Sequence, residues 1–151
     1  MEIVRLEPQE LRLIRPLLLD LLESEVDPQE AEAPSRDALD SWLPRTRDTF
    51  KGENHVFAAR ERDRLVGFCW CVIFDPGTGL EGEVAELYVA PEWRGRGLGD
   101  QLVEEAVGLF RTRRVTFACV WTKEGNRAAL SAYRRAGFAP TDQLVLTWYP
   151  S

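Results

Sequence analysis

The fold of this chain is indicated best by one stretch, Arg94-Gly95-Arg96-Gly97-Leu98-Gly99. An apolar, strand-like run precedes it at 84–89, and a helical pattern follows it, with apolar residues at every fourth position: Leu98, Leu102, Ala106 and Phe110. A strand, a glycine-rich turn and a helix together aim unpaired backbone N–H groups at an anion. Glycine also permits positive φ and lets a phosphate approach the backbone closely. The stretch therefore predicts a phosphate-binding turn, to which Arg94 and Arg96 would add positive charge.

Two common phosphate-binding loops do not fit this stretch. An ATP or GTP loop of the type G-x-x-x-x-G-K-[ST] needs a Lys followed by Ser or Thr, and none follows here. A dinucleotide fingerprint starts directly at a strand end and has an acidic residue about 20 positions further on. Here five residues separate Val89 from Gly95, and the strand-like segment 116–120 occupies the place of the acidic residue. Neither loop is therefore predicted.

The spacing instead resembles the [Q/R]-x-x-G-x-[G/A] signature of the GNAT N-acyltransferase superfamily, with Arg94, Gly97 and Gly99 at its three defined positions. The preceding segment 87–91 is similar to the strand that leads into that signature. The resemblance implies that this region holds the pyrophosphate of coenzyme A. The cofactor-binding residues that it implies are Leu87, Tyr88, Val89, Arg94, Gly95, Arg96, Gly97, Leu98, Gly99 and Asp100. A glycine-rich connection that only turns the chain is the alternative interpretation.

A second block, at 124–138, has the marks of a helix with capped ends. Gly125 or Asn126 would begin it, and Gly137 suits the left-handed position after its last turn. Offsets of three and seven residues put three side chains on one face: Asn126, Ala129 and Tyr133. This pattern, followed by Gly-Phe, is similar to the second cofactor-contacting helix of the same superfamily, in which the Asn hydrogen-bonds the coenzyme A arm and the Tyr hydroxyl lies beside the thioester sulfur. For this block alone, an ordinary amphipathic helix with a half-buried tyrosine is the alternative.

The composition limits the class of protein. A chain of 151 residues is long enough for a proper core, and we expect a single domain over 1–151. The longest apolar run, at 66–74, is too short to span a bilayer, and the N-terminal residues lack the pattern of a signal peptide. These features predict a cytoplasmic protein with no membrane partner. The net charge of −6 argues against nucleic acid as a partner, because no basic stripe is present to bind a phosphate backbone.

Three cysteines and one histidine limit the alternative chemistries. An odd cysteine count argues against a disulfide framework, and no C-x-x-C spacing with further ligands is present, so no metal is expected. We interpret Cys69, Cys71 and Cys119 as small apolar residues of strands. His55 begins a strand-like segment with no accompanying Ser or Cys nucleophile pattern, and we interpret it as structural or surface.

The coarse order of elements is strand, two helices, three strands, helix, strand, helix and a last strand. The predicted strands are 3–6, 55–61, 65–74, 84–89, 115–121 and 144–149, and the first two predicted helices are 9–23 and 35–49, separated by an acidic loop at 24–34. The GNAT resemblance covers essentially the whole chain and is strongest at 83–138. It implies an α/β (α+β) fold, a mixed and mostly antiparallel sheet of six to seven strands flanked by about four helices.

The resemblance also implies a reaction, the transfer of an acetyl or related acyl group from acetyl-CoA directly to an amine in a ternary complex. Positioning of the thioester can supply roughly 7–11 kcal/mol. A base is required, because an alkylammonium with a pKa near 10.4 is only about one part in a thousand free amine at neutral pH. In the family a backbone N–H of the strand before the turn stabilises the oxyanion, and it maps to Val89. The resemblance assigns Tyr133 as the general acid for the leaving thiolate.

Glu83 and Glu86 are the candidate bases, because family members often have a carboxylate for the acceptor on the corresponding strand. Simple alternation would put these two side chains on opposite faces, but a bulge, which is usual in the family, would change that. An unpaired buried carboxylate is costly, so we expect a wet cleft beside them. Glu86 is the first choice, and solvated or ion-paired glutamates without a catalytic role are the alternative.

The sequence leaves the acceptor open, as a small-molecule amine or an amine of a peptide or protein, and it leaves open a homodimer. Two other function classes also remain: a GNAT-fold protein that binds coenzyme A derivatives without catalysis, and an unrelated phosphate- or nucleotide-binding module. A cluster of carboxylates near the acidic loop predicts attraction of a cationic acceptor: Glu23, Glu25, Asp27, Glu30 and Glu32. A solvated acidic surface with no such role is the alternative.

Overall fold

The architecture is a five-stranded sheet with helices on both faces, seen in a computed structural model that describes residues 1–25, 35–42, 52–75 and 80–148. The strands are β1 (Glu2–Leu6), β2 (Gly52–Glu61), β3 (Arg64–Phe74), β4 (Glu81–Val89) and β5 (Phe117–Val120). The helices are α1 (Arg15–Glu25), α2 (Arg36–Trp42), α3 (Leu98–Thr112) and α4 (Arg127–Arg135). Short 3₁₀ helices occupy Pro8–Ile14 and Pro91–Trp93. The mixed α/β architecture predicted from the sequence is confirmed, with five strands in the described residues rather than six to seven.

The strands follow one another across the sheet in chain order. The first four are antiparallel neighbours, and β5 lies parallel to β4, because α3 carries the chain back across one face. The apolar side of α3 packs on that face, with Leu102, Val103 and Ala106 fully buried. The opposite face packs against the first helical segments through Ile14 and Leu17. Because successive side chains of a strand point to opposite faces of the sheet, the apolar residues form two hydrophobic cores, one on each face.

The first predicted helix, 9–23, is divided in the structure. Pro8–Ile14 forms a 3₁₀ segment, and the α-helix begins at Arg15. Pro16 explains the division, because proline lacks the N–H that a helix interior requires but is well tolerated in a first turn. The second helix begins as predicted, with the Ser35 hydroxyl accepting the Ala38 N–H at 3.2 Å. Its predicted continuation over 43–49 and the acidic loop from position 26 to 34 lie outside the described residues.

The predicted last strand is wrong for the residues that the structure describes there. Positions 143–148 have no regular secondary structure, and position 149 lies outside the description. Leu144, Leu146 and Trp148 are 86%, 92% and 82% exposed. An alternating pattern supplies one apolar side but no hydrogen-bonding partner, and among the described residues β5 pairs only with β4.

No helix among the described residues is both long enough and apolar enough to cross a membrane.

Candidate active site

A cleft opens where β4 and β5 stop pairing. Their parallel register ends at Val84 and Val120, and a cavity of about 1260 Å³ lies beyond this point, between the end of β4 and the first turns of α3 and α4. Most of the site residues predicted from the sequence line this cavity: Glu86, Leu87, Tyr88, Val89, Arg94, Gly95, Gly97, Leu98, Gly99, Asp100, Asn126, Ala129 and Tyr133. Glu83 and Arg96 do not.

The glycine-rich turn forms an open cradle at the N-terminus of α3. Gly95 and Gly97 have φ of +71° and +77°, a left-handed conformation that side chains other than glycine rarely adopt. Gly97 is the N-cap residue, and its carbonyl accepts the first intrahelical bond, from the Gln101 N–H at 3.1 Å. A Cβ built on Gly95, Gly97 or Gly99 would meet nothing within 4 Å. The helix therefore presents its first N–H groups and the positive end of its dipole to open space, an arrangement that fits a phosphate.

The two arginines of the turn have different surroundings. The Arg94 Nε donates to the Val89 carbonyl at 2.8 Å, which ties the turn to the end of β4 at the cavity wall. Arg96 stacks over the Trp93 ring at 4.7 Å, and its Nη2 donates to the Glu92 carbonyl at 3.1 Å. The Arg96 guanidinium thus lies against Trp93 and does not line the cavity, and the role predicted for Arg96 in cofactor binding stays a prediction.

The second block forms α4, and Asn126 caps it. The Asn126 side-chain oxygen accepts the Ala129 N–H at 3.3 Å, so the same residue begins the helix and lines the cavity. This capping role occupies the oxygen and leaves the amide NH₂ as the group that can donate to a ligand. The sequence pattern identified the face that Asn126, Ala129 and Tyr133 share, and the structure brings that face to the cavity.

The end of α4 positions Tyr133. Gly137 has φ of +98°, its N–H donates to the Arg134 carbonyl at 3.1 Å, and the Phe138 N–H donates to the Tyr133 carbonyl at 3.0 Å. These two bonds form a Schellman motif, and its usual apolar contact is the edge-to-face pair of Tyr133 and Phe138, with ring centroids 5.9 Å apart. The Gly-Phe pair after the helix therefore holds the Tyr133 ring in place.

Tyr133 is kept in its protonated form. Its side chain is only 6% exposed, and this burial, followed by the influence of Cys69 and of Glu86, raises the pKa of the Tyr133 phenol above its ordinary value. A neutral phenol at pH 7 can donate a proton or a hydrogen bond. Glu86 also lines the cavity, so the carboxylate and the phenol belong to the same site.

A bulge in β4 decides where the two glutamates lie. Trp70 and Cys71 of β3 pair with Glu86 and Val84, so Ala85 is an extra residue on β4. Val84 packs in the core beneath α3, and Glu83 and Glu86 on either side of the bulge both face the opposite side of the sheet. The bulge considered from the sequence is therefore present, and it brings both carboxylates to one face. Of the two, only Glu86 lines the cavity.

Several cavity residues were not identified from the sequence. Arg135 at the end of α4 and Lys123 before it add positive charge, Trp121 after β5 adds an exposed aromatic ring, and Leu21 and Ser24 of α1 close the other side. The sequence contained a signal for Arg135 only as a basic residue in a last helical turn. Which residues meet at the cleft depends on how the helices cross the sheet.

A separate polar network ties the far end of α3 to the sheet. His55 is 3% exposed, with the Arg5 Nη2 2.6 Å from its Nδ1 and the Glu53 Oε2 3.0 Å from its Nε2. Arg113 binds the Glu53 carboxylate with both terminal nitrogens. Because Arg5 is always a donor, Nδ1 accepts and Nε2–H donates, which makes the imidazole neutral. His55 is thus structural, one of the two interpretations made from the sequence.

Cys69 and Cys71 are fully buried strand residues, as interpreted from the sequence, and burial raises the pKa of both thiols. Cys119 is partly buried. Within the described ranges, no group of three or more His, Cys, Asp or Glu side chains is arranged to hold a metal ion.

Comparisons with known proteins agree with this geometry. A family model described as the acetyltransferase (GNAT) family matches residues 17–138. A mycothiol acetyltransferase of Thermobifida fusca is 33% identical over 117 residues, which cover 72% of this chain and 36% of that protein. This chain therefore spans about a third of the length of that relative.

Solved structures with low sequence identity share the fold. An integron cassette protein from the mobile metagenome of Vibrio cholerae matches with a TM-score of 0.76 and 20% identity, over 99% of this chain and 92% of that one. An aminoglycoside N-acetyltransferase in complex with CoA matches with a TM-score of 0.67 and 15% identity, and the match covers 99% of this chain and 100% of that one.

Proposed function

The chain belongs to the acetyltransferase (GNAT) family, and we propose that it is an N-acetyltransferase that transfers an acetyl group from acetyl-CoA to an amine. One observation carries the proposal. The open glycine cradle of α3, the buried phenol of Tyr133 and the carboxylate of Glu86 meet at one cavity, although they come from three different elements. A phosphate site, a proton donor and a carboxylate are the groups that acyl transfer from coenzyme A to an amine requires.

The cofactor would lie along the cleft from α3 to β4. Its pyrophosphate would accept hydrogen bonds from the backbone N–H groups at 95–100, where the helix dipole also favours negative charge. Beyond Val84, β4 is no longer paired with β5, so its backbone groups can hydrogen-bond an extended ligand arm. Asn126 and Ala129 of α4 line the other side of this path.

The residues of the chain would then carry out two proton transfers. Glu86 accepts a proton from the acceptor ammonium, directly or through water, since neutral amine is scarce at pH 7. The Val89 N–H would stabilise negative charge on the thioester oxygen, and Tyr133 would donate its proton to the departing thiolate. The attacking nitrogen would lose its second proton as the amide forms, and that proton would restore the Tyr133 phenol through water. The phenol of Tyr133 is protonated at pH 7, as this role requires.

The acceptor proposed from charge is a cationic amine. Glu86 lines the cavity and Glu83 lies on the same face of β4, so two carboxylates are near the place where the acceptor would enter. Glu23 contributes less than its sequence position suggested, because it is ion-paired with Arg36 at 2.7 Å. Aminoglycosides, which carry several amines, are the acceptors suggested by the name of one structural neighbour, and they belong in a test panel.

The test is the release of free coenzyme A thiol from acetyl-CoA with a panel of amines, matched in size and differing in charge. We expect Glu86→Gln to lower kcat/KM by about 10²- to 10⁴-fold at pH 7 and to remove the acidic limb of the pH profile. Glu83→Gln is the matched control on the same strand face and should have a much smaller effect. A protein that binds coenzyme A but turns over no amine in the panel would contradict the enzymatic proposal and favour a non-catalytic role.

A further inference from the structure

The structure brings an arginine to the phosphate cradle from a distant part of the sequence. Arg135 lies at the end of α4, yet its Nη2 donates to the Asp100 Oδ1 at 2.6 Å, in the first turn of α3. Its Nη1 donates to the Ser131 Oγ, also at 2.6 Å. All three residues line the cavity, whereas Arg96 of the glycine-rich turn does not. Arg135 therefore adds positive charge to the cavity beside the first turn of α3.

Asp100 puts a negative charge at the cavity, close to the arginine. A carboxylate in the first turn of a helix is stabilised by the dipole, but beside a phosphate site it would repel the ligand. The ion pair with Arg135 compensates that charge. The bonds to Asp100 and Ser131 use two of the five guanidinium N–H donors, and the remaining three have no partner among the described residues. Arg135 is 59% exposed, so a ligand in the cavity can reach these donors.

We propose that Arg135 binds a phosphate group of coenzyme A, held in place by Asp100 and Ser131. The proposal rests on the proposed function, since it assumes coenzyme A as the ligand of this cavity. Arginine suits the role because its planar group can bind carboxylate on one edge and phosphate on another. Coenzyme A has two phosphate sources, the pyrophosphate and the 3′-phosphate of its ribose, and the experiment distinguishes them.

The test measures dissociation constants of coenzyme A and of dephospho-coenzyme A, which lacks the 3′-phosphate, by calorimetry at fixed salt. We expect Arg135→Gln to weaken coenzyme A binding by about 10- to 100-fold, the range for hydrogen bonds to a charged group. Arg134→Gln is the matched control, because Arg134 is the adjacent exposed arginine of the same helix and does not line the cavity. Its affinity should stay near that of the unsubstituted protein. Arg135→Lys keeps the positive charge but loses the planar guanidinium with its several N–H donors, and it should have an intermediate affinity for coenzyme A.

The pair of ligands identifies the phosphate that Arg135 binds. A loss for both ligands supports contact with the pyrophosphate, and a loss for coenzyme A alone supports contact with the 3′-phosphate. Unchanged affinity of folded Arg135→Gln and Arg135→Lys for both ligands would overturn the proposal.

The double variant Asp100→Asn/Arg135→Gln separates direct binding from charge compensation. If Arg135 contacts phosphate, the double variant should remain weakened relative to Asp100→Asn. If it regains the affinity of the unsubstituted protein, Arg135 only neutralises Asp100 and the proposal is wrong. Failure of the unsubstituted protein to bind either ligand would be a different result, because it would refute the proposed function itself.

Discussion

Replacing Gly99 with alanine should separate the stability of α3 from its capacity to bind coenzyme A. Gly99 lies in the first turn of α3 and lines the cavity, and a Cβ there would meet no atom within 4 Å. Alanine stabilises a helix relative to glycine by up to about 1 kcal/mol, because the unfolded chain has less freedom to lose. For a chain of this size that corresponds to roughly 2–4 °C in melting temperature. Without ligand, Gly99→Ala should therefore melt at the same temperature or a few degrees higher.

The same methyl group should weaken coenzyme A binding. It would occupy the open space through which a phosphate approaches the helix N–H groups, at a cost of one or two hydrogen bonds worth about 1.5–3 kcal/mol each. A hundredfold excess of ligand over the dissociation constant stabilises the unsubstituted protein by about 2.7 kcal/mol, or roughly 5–10 °C. If Gly99→Ala binds about a hundredfold more weakly, the same ligand concentration adds only about 0.4 kcal/mol.

The assay is thermal unfolding with and without coenzyme A, with Gly108→Ala as the matched control. Gly108 also lies in α3 and has no atom within 4 Å of an added Cβ, but it does not line the cavity. It should keep the full ligand-induced shift and gain similar or greater intrinsic stability. A full shift in Gly99→Ala would refute the reasoning that the phosphate approaches the backbone at this turn.

Three further predictions concern other parts of the molecule. Tyr133→Phe should lower turnover by about 10²- to 10⁴-fold and leave the coenzyme A melting shift intact; wild-type kcat would mean that another group protonates the thiolate. Gly67→Ala should lower the free energy of unfolding in urea by about 1–3 kcal/mol, because the added Cβ would lie 2.9 Å from a backbone carbonyl oxygen of β4. An unchanged urea midpoint would mean that β3 and β4 can move apart at little energetic cost. The free energy of unfolding should also fall with acidification in two stages. Burial, followed by the charge of Arg5, holds the pKa of folded His55 below its ordinary 6.5, so the free energy of unfolding falls as the pH drops below 6.5. Hydrogen bonds from Arg113 hold the pKa of Glu53 at about 2 instead of 4.5, so a second decrease begins below pH 4.5. Urea titrations between pH 8 and 3 measure both stages, and Arg113→Gln should reduce the second; a pH-independent midpoint would contradict this account.

Local patterns in the sequence determined the elements that hold the site. The glycine-rich turn before an amphipathic helix predicted the cradle at Gly97, because positive φ and an exposed helix N-terminus are properties of a few adjacent residues. The second block predicted α4 and the face of Tyr133 for the same reason, and its Gly-Phe ending corresponds to the Schellman motif. Alternation also predicted the strands that became β1 to β4, but not the order in which they pair.

The tertiary structure decided what no local pattern contains. The side of β4 on which Glu83 and Glu86 lie depends on one extra residue, Ala85, whose presence is defined only by pairing with β3. The exposed segment 143–148 shows the same dependence, since its alternation could not supply a partner strand. Arg135 reaches the cavity through a carboxylate 35 residues away in the sequence, Asp100, and no local pattern predicted that contact. Sequence alone thus determined the glycine-rich turn and the two helices, and the packing of those helices on the sheet determined which charged side chains meet there.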